Sequence, residues 1–114
     1  MKVTIKDKEI TLKNTLRAAI LYENITGSNI DYTKMEDTQN LITLFFCVVY
    51  GSAKAAHIEF DLTPEEMIDW LDEHDGSVIL LDFVNWYVAE NVRQSQLVQQ
   101  KVNDIKEGKA DPNF

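Results

Sequence analysis

The two histidines are the first residues to consider for chemistry. His74 lies in the run "DEHD", Asp72 to Asp75, and histidine together with carboxylates is a ligand set that transition metals use. Consecutive residues of a helix point in different directions, however, whereas metal ligands must converge. We therefore interpret the run as an exposed helix end, where the helix dipole also favours His74. Because neither His74 nor His57 belongs to a spaced Cys/His cluster, we expect no metal and no cofactor.

Cys47 and Glu23 are the other candidates for catalysis. Cys47 lies between Phe46 and Val48, and burial in apolar surroundings raises the pKa of a thiol and makes it inert. Glu23 would need a second titratable group and a pocket to act as a general acid or base, so we interpret it as a cap or hydrogen-bond partner of the loop after Gly27. The chain also has no glycine-rich phosphate loop and no Ser-His-Asp arrangement. We predict that the protein is not an enzyme.

The composition indicates one acidic globular domain. The 114 residues are 45% hydrophobic and 26% charged, which is enough apolar material for a single core. The net charge of −8 argues against binding to nucleic acid, because phosphates attract clustered Lys and Arg. That charge fits solubility, a basic partner or mimicry of nucleic acid. A single cysteine and an N-terminus without the apolar core of a signal peptide predict a cytoplasmic protein.

Two regular patterns occupy the N-terminal part of the chain. "KVTIKDKEITLK" alternates apolar and polar residues around a turn at Lys6 to Glu9, which predicts a β-hairpin. Its apolar face contains Val3, Ile5, Ile10 and Leu12. "NTLRAAILYENITG" predicts a helix with Asn14 as its N-cap and Gly27 just past its end. The residues predicted to face the core are Leu16, Ala19 and Ile20.

The next helix carries the most apolar stretch of the sequence. After a polar segment anchored by Ile30 and Tyr32, Asp37 or Thr38 can cap a helix that includes Leu41 to Tyr50, where only one residue is polar. A membrane-spanning helix needs about 20 consecutive apolar residues, so this shorter stretch predicts the buried central helix of a small bundle and no association with a membrane. A small domain has difficulty covering every face of one helix. The candidate partner contacts are therefore Phe45, Phe46 and Tyr50.

The segment "LTPEEMIDWLDEHDG" has the strongest local helix signal. Thr63, Pro64 and Glu66 form a capping-box pattern with proline at the first helical position. Gly76 is predicted to end this short helix. Its apolar face is predicted to contain Met67, Ile68, Trp70 and Leu71.

The last helix changes character along its length. Ser77 can cap it, and it is predicted to run to about Gly108, with many large apolar residues up to Val92. Beyond that point the apolar residues form only a thin stripe, closer to a coiled-coil seam than to a core-facing surface. The stripe contains Leu97, Val98, Val102 and Ile105. We therefore predict a globular domain at 1–92 and, at 93–114, a projecting helical extension with a frayed C-terminus. The predicted fold is mainly α: a small four-helix domain with an N-terminal β-hairpin and a long C-terminal helix.

Three segments carry a resemblance to a known family. They are "YENITG" at Tyr22 to Gly27, "LFFCVVYGSA" at Leu44 to Ala53 and "IDWLDEH" at Ile68 to His74. In their order and spacing, from roughly Glu9 to Val92, the chain resembles the tail assembly chaperones of long-tailed phages and prophages. None of these segments is a catalytic signature.

The resemblance implies a non-enzymatic protein of the bacterial host cytoplasm. Proteins of this family coat the long, aggregation-prone tape measure protein while tail tube subunits polymerise around it, and they are absent from the mature virion. Many have a longer form, made by ribosomal frameshift, that contacts the tail tube protein. They commonly form homo-oligomers. The family has no catalytic residues that could be carried over to this chain.

Two other interpretations follow from the residues themselves. A homo-oligomeric interaction module could use the stripe from Leu97 to Ile105 as its contact. An acidic inhibitor that mimics DNA could use the −8 charge. Both interpretations, like the chaperone, involve binding without catalysis.

Overall fold

The computed structural model describes residues 1–30 and 36–106. Two strands, Lys2–Ile5 (β1) and Lys8–Thr11 (β2), precede four described helices. The helices are Leu16–Thr26 (α1), Thr38–Ala55 (α2), Pro64–Glu73 (α3) and Gly76–Lys106 (α4). This order confirms the predicted mainly α fold with an N-terminal hairpin and a long C-terminal helix. The predicted anchor Tyr32, the end of the last helix near Gly108 and the frayed C-terminus lie outside the described residues.

The hairpin presents the predicted apolar face to the core. β1 and β2 are antiparallel, with Val3 opposite Ile10 and Ile5 opposite Lys8. The turn consists of Lys6 and Asp7, both with positive φ (50° and 65°), which is the backbone of a two-residue hairpin turn that matches the strand twist. The predicted face, Val3, Ile5, Ile10 and Leu12, is buried.

Helix α1 begins and faces the core differently from the prediction. Its N-cap is Thr15, not Asn14: the Thr15 hydroxyl accepts a hydrogen bond from the amide of Ala18. The predicted core residues Leu16 and Ile20 are exposed, Leu16 by 84%, and Ala19 is half-buried. The buried residues of α1 are Ala18 and Tyr22.

The physical reason for this difference is the close approach of α1 to α2. A Cβ added to Gly51 of α2 would overlap the Thr15 hydroxyl and lie 3.1 Å from the amide nitrogen of Ala18. Such a contact needs small side chains on both helices, so Ala18 and not Leu16 faces α2. The predicted C-terminal signal is confirmed, because Gly27 has φ 75° and its amide donates to the carbonyl of Glu23.

Helix α2 is the central helix, as predicted. Asp37 caps it by accepting hydrogen bonds from the amides of Gln39 and Asn40. All residues from Leu44 to Val49 are buried, and α2 contacts β2 and each of the other three helices. Ser52, also buried, accepts a hydrogen bond from the amide of Lys13 at 2.8 Å and so ties the end of the hairpin to α2.

No helix among residues 1–30 and 36–106 combines the length and the apolar character that crossing a membrane requires.

The junction between α3 and α4 differs in detail from the prediction. The capping box at Thr63 and Glu66 is present, but α3 ends at Glu73 and Gly76 is the first residue of α4. Asp75, with φ 55°, makes the turn between the two helices. Its carbonyl accepts hydrogen bonds from the amides of Val78 and Ile79. The predicted cap Ser77 therefore lies inside the first turn of α4.

Gly76 is required by packing at this junction. A Cβ at this position would lie 2.8 Å from the carbonyl oxygen of Leu71 and 2.9 Å from its Cβ. The glycine therefore starts a helix against α3, whereas the sequence signal suggested that it ended one.

Helix α4 has 31 residues, and only a small part of it is buried. Phe83 and Tyr87 are its buried hydrophobic residues. Asn91 and Gln94 accept hydrogen bonds from the Asn14 side chain, 3.1 and 3.2 Å away. Every residue from Ser95 to Asn103 is exposed.

Candidate interaction surface

The two histidines lie in exposed positions at the ends of α3 and α2. His74 is the C-cap of α3; its Nδ1 lies 2.7 Å from the Trp70 carbonyl oxygen, and its ring stacks on Trp70. His57 follows the end of α2 with φ 57°. Within the part of the chain that the structure describes, no three His, Cys, Asp or Glu side chains are grouped to hold a metal ion.

Cys47 and Glu23 have the environments of structural residues. Cys47 is buried, and this burial raises the pKa of its thiol to about 12, as the sequence predicted. Glu23 is exposed. It contributes to the turn at Gly27 through its backbone carbonyl, whereas we had expected its side chain to do so.

Phe45, a candidate partner contact, lies in the core. It is 0% exposed; its ring meets Phe83 edge to face at 5.2 Å and stacks on Trp70 at 6.4 Å. Since no part of the side chain reaches solvent, Phe45 cannot contact a partner in this conformation.

Phe46 and Tyr50 form an aromatic group with Phe60 at one side of α2. Phe46 is only 6% exposed and its ring centroid lies 6.0 Å from that of Phe60. Tyr50 is half-buried, and the Lys54 ammonium lies 5.6 Å from the centre of its ring. Of the three aromatic candidates, Tyr50 therefore has the most surface to offer a partner.

The four candidate residues of the C-terminal extension are all exposed. We call Leu97, Val98, Val102 and Ile105 the tail stripe. At about 100° per residue, most of the tail stripe lies on the same side of α4 as the buried residues Phe83 and Tyr87. The core-facing surface of α4 thus continues beyond the domain, where no described element covers it.

A second apolar surface on α4 was missed by the sequence analysis. We call Val78, Leu81, Val88 and Val92 the outer stripe; all four are exposed, Leu81 by 62%. The outer stripe lies on the side of α4 opposite Phe83 and Tyr87. Their separations of three, seven and four residues are helical spacings and would have indicated this surface. Large apolar residues on both sides of one helix cannot all face one core.

A shallow depression of about 550 Å³ lies along the same helix. The described residues that line it are Val88, Asn91, Val92, Ser95, Gln96 and Gln99. None of these side chains is ionisable, so the depression offers no general acid, base or metal ligand.

The charges of this part of α4 cancel locally. Between Phe83 and Gln100 the charged residues are Glu90 and Arg93, and they form an ion pair three residues apart. The hydrogen bond from Arg93 lowers the pKa of Glu90, so the pair remains ionised at neutral pH. This segment is therefore neutral within a chain whose net charge is −8.

Comparisons of the chain with family models, curated proteins and solved structures give no match. The resemblance to tail assembly chaperones therefore depends on the three segments quoted above.

Proposed function

We propose that the protein is a non-enzymatic tail assembly chaperone that binds the tape measure protein and keeps it soluble while the tail tube assembles. It acts in the cytoplasm of the bacterial host and is absent from the mature virion. The observation that supports this proposal most directly is the exposure of the tail stripe, because a helix that leaves its domain with an apolar side has no internal use for that side.

The binding mode that fits is helix against helix. The tape measure protein is long and helical, and an amphipathic helix of it would pack its apolar residues along the tail stripe at i, i+3 and i+4 spacing. The net charge of −8 would keep the complex dispersed by repulsion between complexes. Contact with the tail tube protein would belong to a longer, frameshifted form of the chain.

Co-expression with the tape measure protein tests the proposal. The expected result is a soluble complex that co-purifies, whereas the tape measure protein alone precipitates. The genomic expectation is that a very long, helix-rich reading frame follows this gene. Absence of any complex and no gain in solubility would refute the proposal.

A matched pair of variants locates the binding surface. Val98→Glu places a charge on the tail stripe, and Gln100→Glu places the same charge on the opposite side of the helix; both residues are exposed. We expect Val98→Glu to lower the yield of the complex by about tenfold or more, which corresponds to about 1.4 kcal/mol. Gln100→Glu should retain binding.

A homo-oligomeric interaction module is the second candidate, and the same exposure of the tail stripe favours it. In that case truncation after Arg93 would abolish the oligomer and leave the domain folded. A truncated chain with the same oligomeric state as the full chain would count against this candidate.

A further inference from the structure

The negative charge of this protein is concentrated in one part of the chain. Between Ala55 and Val92 the sequence has ten Asp and Glu residues and no Lys or Arg. This segment therefore has a charge of −10, whereas the rest of the chain has a charge of +2. Half of the ten carboxylates belong to α3: Glu65, Glu66, Asp69, Asp72 and Glu73. A partner attracted by the net charge would be drawn to this helix.

The carboxylates of α3 are not neutralised within the part of the chain that the structure describes, where no ion pair involves a residue of this helix. Asp69 and Glu73 are four residues apart on one side of the helix, where like charges repel. Asp72 and Glu73 lie in the last turn, which has no basic residue and where the helix dipole disfavours negative charge. A cation bound from outside would relieve both of these unfavourable interactions.

A groove lies between α3 and the turn of the hairpin. It has a volume of about 220 Å³. The described residues that line it are Lys6, Leu62, Glu66, Asp69, Trp70 and Glu73. Leu62 is buried and Trp70 is half-buried, whereas the three acidic residues are exposed. The groove therefore has an apolar base and an acidic rim.

Two charged groups of the groove already have partners inside the protein. The Lys6 ammonium lies 3.4 Å from the Asp61 carboxylate. The Glu66 carboxylate accepts a hydrogen bond from the amide of the α3 N-cap at 3.2 Å. The carboxylates of Asp69 and Glu73 have no such partner among the described residues, so these two are available to a ligand.

These features fit the side chain of an arginine. Its aliphatic part can pack on Leu62 and Trp70 while its charged end stays at the rim. The ring of His74 stacks on Trp70 with 4.7 Å between the ring centres, so Trp70 contributes apolar contact and the carboxylates bind the charge. A planar guanidinium pairs with carboxylates through parallel N–H bonds. A metal ion fits less well, because no three ligand side chains of the described residues are grouped to hold one.

We infer that this groove binds an arginine side chain from a basic segment of a partner protein, with the guanidinium on Asp69 and Glu73. The groove and the tail stripe belong to different elements, and the inference does not depend on the proposed chaperone function. Because both carboxylates are exposed, a single contact is weak and sensitive to salt. A segment with several arginines binds more tightly, because the other carboxylates of α3 add to the attraction.

A fluorescently labelled peptide of alternating arginine and alanine tests the groove by anisotropy. The wild-type chain should bind this peptide, and the affinity should fall as the salt concentration rises. A peptide with citrulline in place of each arginine has nearly the same shape without the charge, so it should bind at least about tenfold more weakly. Equal binding of the two peptides, or no binding of the arginine peptide at low salt, would overturn the inference.

A matched pair of double variants locates the contact. Asp69→Asn with Glu73→Gln removes two charges from the groove, and Glu65→Gln with Asp72→Asn removes two charges from α3 outside it. All four residues are exposed, so both chains should melt close to the wild-type temperature. We expect the first double variant to bind the arginine peptide about tenfold or more weakly, and the second to lose less than about threefold. Equal losses would indicate general attraction to α3 and would overturn the inference.

Lys6→Gln tests the same groove with the opposite sign. This change removes the cation that lines the groove, so the arginine peptide should bind at least about twofold more tightly. Unchanged or weaker binding would place the arginine elsewhere and overturn the inference. Val98→Glu, on the tail stripe, should leave peptide binding unchanged, so this inference and the chaperone proposal can fail separately.

Discussion

Cys47 shows how a single residue is controlled by its surroundings. It lies in the middle of α2 between buried neighbours, and this burial raises the pKa of its thiol from 9.0 to about 12. A thiol that stays protonated at neutral pH is neither a nucleophile nor a metal ligand. The buried thiol of Cys47 instead makes the free energy of unfolding depend on pH in the alkaline range.

We predict that the free energy of unfolding falls between about pH 9 and pH 12 because of Cys47. In this range the unfolded chain loses the thiol proton while the folded chain retains it. The free energy of unfolding therefore decreases by about 1.4 kcal/mol per pH unit. Below about pH 9 the thiol is protonated in both states and has no effect on stability. Urea unfolding of the wild-type chain and of Cys47→Ala at about pH 8 and about pH 10 measures the difference. The variant should lose less stability at the higher pH, and equal losses would contradict the prediction.

Helix α2 and the elements around it show how packing selects the face of a helix. Gly51 allows α1 to approach α2 so closely that Thr15 and Ala18 fill the place of a side chain. The hydroxyl of Ser52, the next residue, accepts a hydrogen bond from the amide of Lys13 and donates one, 2.7 Å long, to the carbonyl of Val48. One turn of α2 thus holds both the hairpin and α1.

We predict that Gly51→Ala destabilises the protein by about 1–3 kcal/mol through overpacking against α1. The expectation for a glycine inside a helix without such a contact is the opposite, a gain of about 1 kcal/mol. Chemical denaturation of the two chains decides the sign.

The double variant Thr15→Gly with Gly51→Ala is the control for this prediction. Removing the Thr15 hydroxyl relieves the closest contact, so the double variant should recover part of the loss, beyond the sum of the two single changes. Additive effects would mean that the Thr15 contact is not the cause.

For the molecule as a whole, the long α4 has one segment that packs against the domain and one segment that is exposed. The domain uses α4 through Phe83, Tyr87 and the hydrogen bonds of Asn14 to Asn91 and Gln94. From Ser95 to Asn103 the same helix is exposed on every side. The residues that stabilise the domain and the residues of the tail stripe therefore lie in separate segments.

We predict that truncation after Gln94 leaves the free energy of unfolding within about 0.5 kcal/mol of the full chain, since no buried residue is removed from the described helix. Binding of the tape measure protein should be lost. Thermal melts and co-purification measure the two effects on the same samples. A truncated chain that unfolds at a clearly lower temperature would show that the tail stabilises the domain.

Several local features of this protein were predictable from the sequence, although the caps predicted at Asn14 and Ser77 and the helix end predicted at Gly76 were wrong. The hairpin face, the capping box at Thr63 and the glycine after α1 were identified, and the cap of α2 was one of the two candidates, because each depends on residues within a few positions of one another. The burial of α2 and the inertness of Cys47 followed from an apolar stretch that is too short for a membrane.

Only the tertiary structure decided which faces meet. Leu16 was predicted to face the core because it is large, yet the close crossing at Gly51 selects Ala18 instead. Val78 and Leu81 belong to an apolar-rich helix, yet α2 and α3 cover only the side that carries Phe83. The spacing of apolar residues determines which of them share a side of a helix. The shape of the neighbouring element determines which side is buried. That shape is set by contacts between residues far apart in the chain.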